Sequence, residues 1–138
     1  MIEKLNKKDI KLYIDLLNQV FGYEPSLENI EKYLKDNIVL IIKKDDKVAA
    51  SVSIKEEYDY VKNQKYYYIN YLGVLKEYRR EGFASKLFDE IDKMAKDNNI
   101  MYLLLTSGNQ RRAAHFFYKS RNFKIKDTTV FIKLYTQD

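Results

Sequence analysis

The chain has no cysteine, no tryptophan, one histidine, one proline and four glycines in 138 residues. Without cysteine there is no disulfide framework, and no thiol can act as nucleophile or metal ligand. A lone histidine, His115, excludes a histidine-rich metal site, and no metal is expected. No apolar run approaches the roughly 20 residues of a membrane-spanning helix. Met1-Ile2-Glu3-Lys4-Leu5 lacks the apolar core of a signal peptide, so a cytoplasmic location is expected. Repeats, low-complexity tracts and linkers are also missing, and at this length one compact domain over residues 1–138 is expected.

What is present is a globular balance of 33% charged and 46% hydrophobic residues, with 13 tyrosines. The net charge of +5 is unevenly placed. Residues 1–108 carry 18 basic and 18 acidic side chains, residues 109–138 seven and two. Arg111, Arg112, Lys119, Arg121, Lys124 and Lys126 therefore form a basic region suited to nucleic acid, to a phosphorylated cofactor or simply to solvent.

Hydrophobic periodicity orders the elements. Ile2 to Leu5 reads as a short strand. Asn6 caps a helix with Ile10, Tyr13, Ile14, Leu17 and Val20 on one stripe, and Ser26 caps a second running to about Leu34. The β-branched run Ile38 to Ile42 is a buried strand, Lys43 to Lys47 a polar turn, and Val48 to Ile54 the return strand. A charged, tyrosine-bearing loop is expected from Lys55 to Lys65, then a long strand from Tyr66 to Leu75 with a bulge at Gly73. A helix buries Phe83, Ala84, Leu87, Phe88, Ile91, Met94 and Ala95 on one stripe and ends at Asn98-Asn99. Met101 to Thr106 is a strand, Arg111 to Lys119 a short helix, and Phe123–Ile125 and Thr128–Leu134 are closing strands. The expected fold class is α/β: a mixed, mostly antiparallel sheet of six or seven strands flanked by about four helices, with a parallel crossover between Tyr66 and Thr106.

The most informative segment is Val74-Leu75-Lys76-Glu77-Tyr78-Arg79-Arg80-Glu81-Gly82-Phe83-Ala84-Ser85, the end of an apolar strand, a basic turn, a glycine and the start of an amphipathic helix. The first N–H groups of a helix lack intrahelical acceptors and the macrodipole adds positive charge, so an anion there meets several donors. Gly82 lets a ligand approach the backbone closely.

Arg79-Arg80-Glu81-Gly82-Phe83-Ala84 resembles the Arg/Gln-x-x-Gly-x-Gly/Ala motif of the GNAT N-acetyltransferase superfamily. Downstream, Asn109 with Ala114-His115-Phe116-Phe117-Tyr118 resembles that family's Asn…Ala-x-x-Phe-Tyr segment, and Lys119-Ser120-Arg121-Asn122-Phe123 stands in the place of its Gly-Phe ending, with Asn122 for the glycine. The order and spacing of these motifs cover nearly the whole chain.

The resemblance implies acetyl-CoA as cosubstrate. The amides of Arg80, Gly82, Phe83, Ala84 and Ser85 would hold its pyrophosphate, with Arg79, Lys76 or Lys119 near the 3′-phosphate. Leu72, Gly73 and Val74 would face the pantetheine arm, joined by Asn109. The Val74 N–H would polarise the thioester carbonyl, and Tyr118 would be the general acid for the departing thiolate. A carboxylate base is missing from the central strands. Glu56, Glu57 and Asp59 are the candidates, acting directly or through water, with proton loss to solvent as the alternative. His115 reads as a packing or surface residue.

Direct acetyl transfer to a primary amine in a ternary complex is the implied reaction, since no cysteine can carry an acyl group. Phe21, Tyr23, Tyr58 and Tyr60, with acids nearby, point to a small cationic metabolite as acceptor. Edge strands leave a homodimer open, and nothing in the sequence fixes the oligomeric state. Two other readings are a catalytically silent CoA sensor and an RNA-binding module, the latter from the basic C-terminal third and an RNP1-like octet, Glu81 to Phe88. The octet has helical rather than strand periodicity, and no nucleic-acid partner is expected.

Overall fold

Asn6 starts the first helix as its side chain dictates, accepting from the Lys8 N–H at 3.1 Å and opening a 3-10 turn, Lys7–Asp9, that runs into α1 (Ile10–Phe21). Ser26 does the same for α2 (Leu27–Leu34), accepting from the Asn29 N–H at 3.1 Å. The structure is a computed structural model that describes residues 2–136. Its contacts divide the chain into two units, one up to Leu105 and one from Thr106 onward.

The first unit holds a five-stranded sheet in sequential order: β1 (Ile2–Lys4), β2 (Ile38–Lys44), β3 (Lys47–Asp59), β4 (Gln64–Val74) and β5 (Tyr102–Leu104). The first three pairings are antiparallel and β4–β5 is parallel, joined through α3 (Phe83–Asp97). A mixed, mostly antiparallel sheet in a chain with four helices therefore stands as expected, with five strands among the described residues.

The two faces of the sheet are set by alternation along β3. Ser53 meets Tyr13 of α1, their oxygens 3.5 Å apart, whereas Ile54 and Glu56 line a cavity with Glu90 and Met94 of α3. The helices thus cover opposite faces. Ile10 and Leu16 of α1 and Leu87, Phe88 and Ile91 of α3 are at most 1% exposed. Each such side chain contributes about 1.5–3 kcal/mol by leaving water.

Three expectations need adjusting. The Lys55–Lys65 segment is largely hairpin: β3 continues to Asp59, and Glu57 pairs with Tyr66 and Tyr58 with Lys65. Asp59 folds the remaining tip by accepting from the N–H groups of Val61 and Lys62. The turn between β2 and β3 is only two residues, Asp45 (φ 54) and Asp46 (φ 59), the left-handed pair that matches strand twist. The strands expected at Phe123–Ile125 and Thr128–Leu134 do not form. No described residue after α4 (Arg112–Ser120) joins a ladder, and Phe131 is 90% exposed. A β-branched run becomes a strand only where a neighbour completes its hydrogen bonds. Among the described residues no helix is long and apolar enough to cross a membrane.

Candidate functional site

Between β4 and α3 the backbone turns through two left-handed residues, Arg80 (φ 69) and Gly82 (φ 78). A Cβ on Gly82 would meet nothing within 4 Å, so the glycine answers a conformational need and leaves the space above it open. Gly82 is the N-cap of α3 without a side-chain cap, and Lys86 N–H to Gly82 O at 3.0 Å begins the helical ladder. By helix geometry the N–H groups of Phe83, Ala84 and Ser85 precede that ladder. Arg79 and Arg80 are exposed and form no ion pair among the described residues. An uncapped helix start and two exposed arginines therefore adjoin in one turn.

Sequence reasoning missed what holds that turn. The β2–β3 hairpin grips it: Tyr78 Oη donates to Asp45 Oδ2 at 2.7 Å, Lys44 Nζ to Glu81 Oε1 at 2.6 Å, and Lys47 Nζ to Glu77 Oε2 at 3.1 Å. The hydrogen bond to Asp45, aided by burial, pushes the Tyr78 phenol up to about 12. Lys44 also lies 5.5 Å from the Tyr78 ring centre and 5.9 Å from that of Phe83. Its charge offsets that of Glu81, the acid next to Gly82 in a turn suited to an anion. The charges of both signs in Lys44-Asp45-Asp46-Lys47 were the available signal.

The second feature is an opening in the sheet. β5 pairs with β4 only at Tyr66–Tyr68, so among the described residues Ile69–Val74 have no ladder partner on that edge. On the other edge Ser53 pairs with Asn70 and Ser51 with Gly73, which leaves Tyr71 and Leu72 opposite Val52 as a bulge, with Tyr71 at φ 52. The bulge expected at Gly73 thus begins two residues earlier. Gly73 serves packing: its missing Cβ would lie 3.1 Å from Phe21 Cε2 and 3.3 Å from Val20 Cγ1, so α1 rests directly on the strand. Leu75 N–H donates to Ala49 O at 2.9 Å toward β3. By alternation the Val74 N–H points to the opposite, open edge.

A cavity of about 270 Å³ lies between α1, α2 and the bulged strand. It is lined by Tyr13, Leu17, Phe21, Tyr23, Pro25, Asn29, Ile30, Tyr33, Ser53, Asn70 and Tyr71. Phe21 and Tyr71 meet edge to face, 5.3 Å and 82°. Burial raises the phenols of Tyr13 and Tyr33 above the ordinary tyrosine value, with hydrogen bonding to Ser53 working against it. The Asn70 Oδ1 is buried and accepts no hydrogen bond. Of the four aromatics expected here, Phe21 and Tyr23 line the cavity and Tyr58 and Tyr60 do not; Tyr13, Tyr33 and Tyr71 take their place.

The acids named from the sequence lie elsewhere. Glu56 lines a separate cavity of about 550 Å³ on the α3 face with Glu3, Asp36, Glu90 and Asn98. Glu57 is paired with Lys55 at 3.3 Å, and the Asp59 carboxylate is occupied by the hairpin tip. The RNP1-like octet forms the entry to α3 with Phe83 8% and Phe88 0% exposed, so it presents no rings for stacking bases. No group of three or more His, Cys, Asp and Glu side chains suited to a metal occurs among the described residues.

In the second unit α4 carries Tyr118, whose ring packs edge-on against Phe117 (5.7 Å) and Phe123 (5.6 Å). Burial raises its phenol above the ordinary value although Arg111 pulls it down, so it keeps its proton at neutral pH. Asn122, in the place of the family's glycine, adopts φ 72, the left-handed backbone that asparagine tolerates. Asn109 is exposed in the turn before the helix, and His115 is half-buried on α4.

The family model for the Acetyltransferase (GNAT) family matches residues 9–123. An acetyltransferase from Trypanosoma brucei is similar in structure with a TM-score of 0.84 at 15% identity, over 97% of this chain and 99% of that one. An aminoglycoside 6'-N-acetyltransferase from Acinetobacter haemolyticus gives 0.80 at 17% identity, over 99% of each chain. A ribosomal-protein-alanine N-acetyltransferase from Brucella melitensis gives 0.81 at 15% identity, over 98% and 99%. At such identities the likeness is one of fold. No curated protein matches the chain. The matched span takes in α1, the bulged strand, the Arg79–Ser85 turn and the Tyr118–Phe123 helix end, and the chain belongs to the GNAT acetyltransferase family.

Proposed function

We propose that the protein is an acetyl-CoA-dependent N-acetyltransferase acting on a small primary amine by direct attack. The observation that carries this reading is the junction of β4 and α3, where an open strand edge leads into a left-handed turn and an uncapped helix start. These residues fit CoA. The N–H groups of Arg80, Gly82, Phe83, Ala84 and Ser85 suit a pyrophosphate, and Arg79 adds a cation. The edge of Leu72, Gly73 and Val74 offers strand-like hydrogen bonds to a pantetheine amide. Asn109 is a further pantetheine contact. Acetyl-CoA supplies an acetyl group activated as a thioester.

The chain's residues then have simple tasks. The amine nitrogen forms a bond to the carbonyl carbon while the C–S bond breaks. The Val74 N–H donates to the carbonyl oxygen, where negative charge grows. Tyr118 gives its proton to the departing sulfur, a role supported by a phenol that stays protonated at neutral pH. Since no acid lines the cavity beside the bulge, loss of the ammonium proton to water is favoured over Glu56 or Glu57 as base.

The test is release of CoA thiol from acetyl-CoA across an amine panel. Release that requires both an amine and the protein is expected. A protein that binds acetyl-CoA but acetylates nothing would be a sensor.

A further inference from the structure

The cavity beside the bulge has a chemistry more specific than "amine site". Five rings, Tyr13, Phe21, Tyr23, Tyr33 and Tyr71, line it, and none of its lining residues is Asp, Glu, Lys, Arg or His. Both helix-borne phenols are held protonated by burial, so these walls stay uncharged near neutral pH. The cavity contains one buried acceptor without a partner, the Asn70 Oδ1. Resting on the acetyl-transfer reading above, we propose that the acceptor is a primary monoamine with a single aromatic ring or an apolar body of similar size, and not a polycation.

An amine N–H supplies the donor that Asn70 lacks, and Asn70 lies on the same strand as Val74, four residues before it. A nitrogen bound there sits beside the edge assigned to the thioester. Tyrosine faces attract a single ammonium, and ring edges and faces suit an aromatic body. A polyamine or aminoglycoside brings further ammonium groups, each best met by an anion once stripped of water, and no carboxylate lines the cavity. Its volume of about 270 Å³ lies just below the range of about 300–1,000 Å³ common for small-molecule sites, which suits one ring. The ammonium gives one proton to water before attack, the nitrogen loses its second proton to water as it gains the acetyl carbon, and Tyr118 regains from water the proton it gives to sulfur. The sulfur departs with the Tyr118 proton, and the product is a neutral amide.

The experiment compares 2-phenylethylamine, spermidine and kanamycin as acceptors by CoA release, with the thermal shift given by acetyl-CoA alone measured in parallel. The expected kcat/KM for 2-phenylethylamine exceeds that of either polycation by about 100-fold. Tyr33→Ala should lower it about tenfold through KM with the acetyl-CoA shift retained, and Asn70→Asp should narrow the gap to spermidine by about tenfold. Equal or better turnover of a polycation overturns the proposal. So does failure of 2-phenylethylamine to react while acetyl-CoA still raises the melting temperature, an outcome that leaves acetyl-CoA recognition standing. Absence of any acetyl-CoA shift defeats the parent reading and this one together.

Discussion

Phe123 closes the helix that carries Tyr118: its N–H donates to the Tyr118 carbonyl at 3.0 Å, and the two rings meet at 5.6 Å and 61°. Asn122 N–H donates to Lys119 O at 3.1 Å with φ 72, which completes a Schellman end with its hydrophobic contact. The Asn-Phe pair therefore positions the phenol. Tyr118→Phe should lower kcat/KM about 100-fold with acetyl-CoA affinity unchanged within about twofold. Phe123→Ala, which frees the ring without removing the proton donor, should lower it about tenfold. Steady-state kinetics with titration of acetyl-CoA checks both.

Asn122 tests the helix end separately. Asn122→Ala places an ordinary side chain at φ 72 and should destabilise the protein by about 1 kcal/mol, whereas Asn122→Gly should be neutral or slightly stabilising. Urea unfolding of the two variants distinguishes backbone strain from loss of the amide side chain.

Gly82 and Gly73 differ in kind. Gly82→Ala meets no atom within 4 Å but must hold φ 78, so it should cost about 1 kcal/mol and weaken acetyl-CoA binding as the turn relaxes. Gly73→Ala drives a methyl to 3.1 Å from the Phe21 ring. It should cost about 1–3 kcal/mol and raise KM for the amine more than for acetyl-CoA, because Phe21 is a cavity wall. Denaturation and two-substrate kinetics separate the two glycines.

Alkali should loosen the grip on the turn. The Tyr78 phenol is pushed up to about 12 by its bond to Asp45. The folded state therefore holds this proton more tightly than the unfolded chain, whose tyrosine titrates near 10. The contribution is complete below the unfolded value and is lost as pH rises toward the folded one. Urea midpoints should fall between about pH 10 and 12 in the natural protein. In Tyr78→Phe they should start lower and lose this part of the slope.

Much of this was legible because it is local. Asn6 and Ser26 announce helix starts, Gly82 and Ala84 the turn, and Asn122 a left-handed end; each depends on a few neighbouring residues. What escaped depends on pairing across the chain. β3 runs on to Asp59 because β4 is there to pair with it, and Thr128–Leu134 stays irregular because no described strand does the same. The bulge falls on Tyr71 rather than Gly73 because Gly73 is needed flat against Phe21. Tyr13 reads as a helix core position, and only the placement of Ser53 and Asn70 opposite it reveals a cavity wall. The clamp from Lys44, Asp45 and Lys47 to the turn spans 30 to 37 residues of sequence, and the charges of the hairpin do not by themselves name their partners.

Every role proposed above depends on acetyl-CoA binding at the turn from β4 into α3. Isothermal titration of acetyl-CoA into the protein measures this directly. One saturable site with a dissociation constant between micromolar and millimolar is predicted, together with a melting temperature that rises as ligand increases. At about 100 times the dissociation constant the added stability should be roughly 2.7 kcal/mol, with Gly82→Ala shifted to weaker binding. No heat of binding and no thermal shift at millimolar acetyl-CoA would contradict the account.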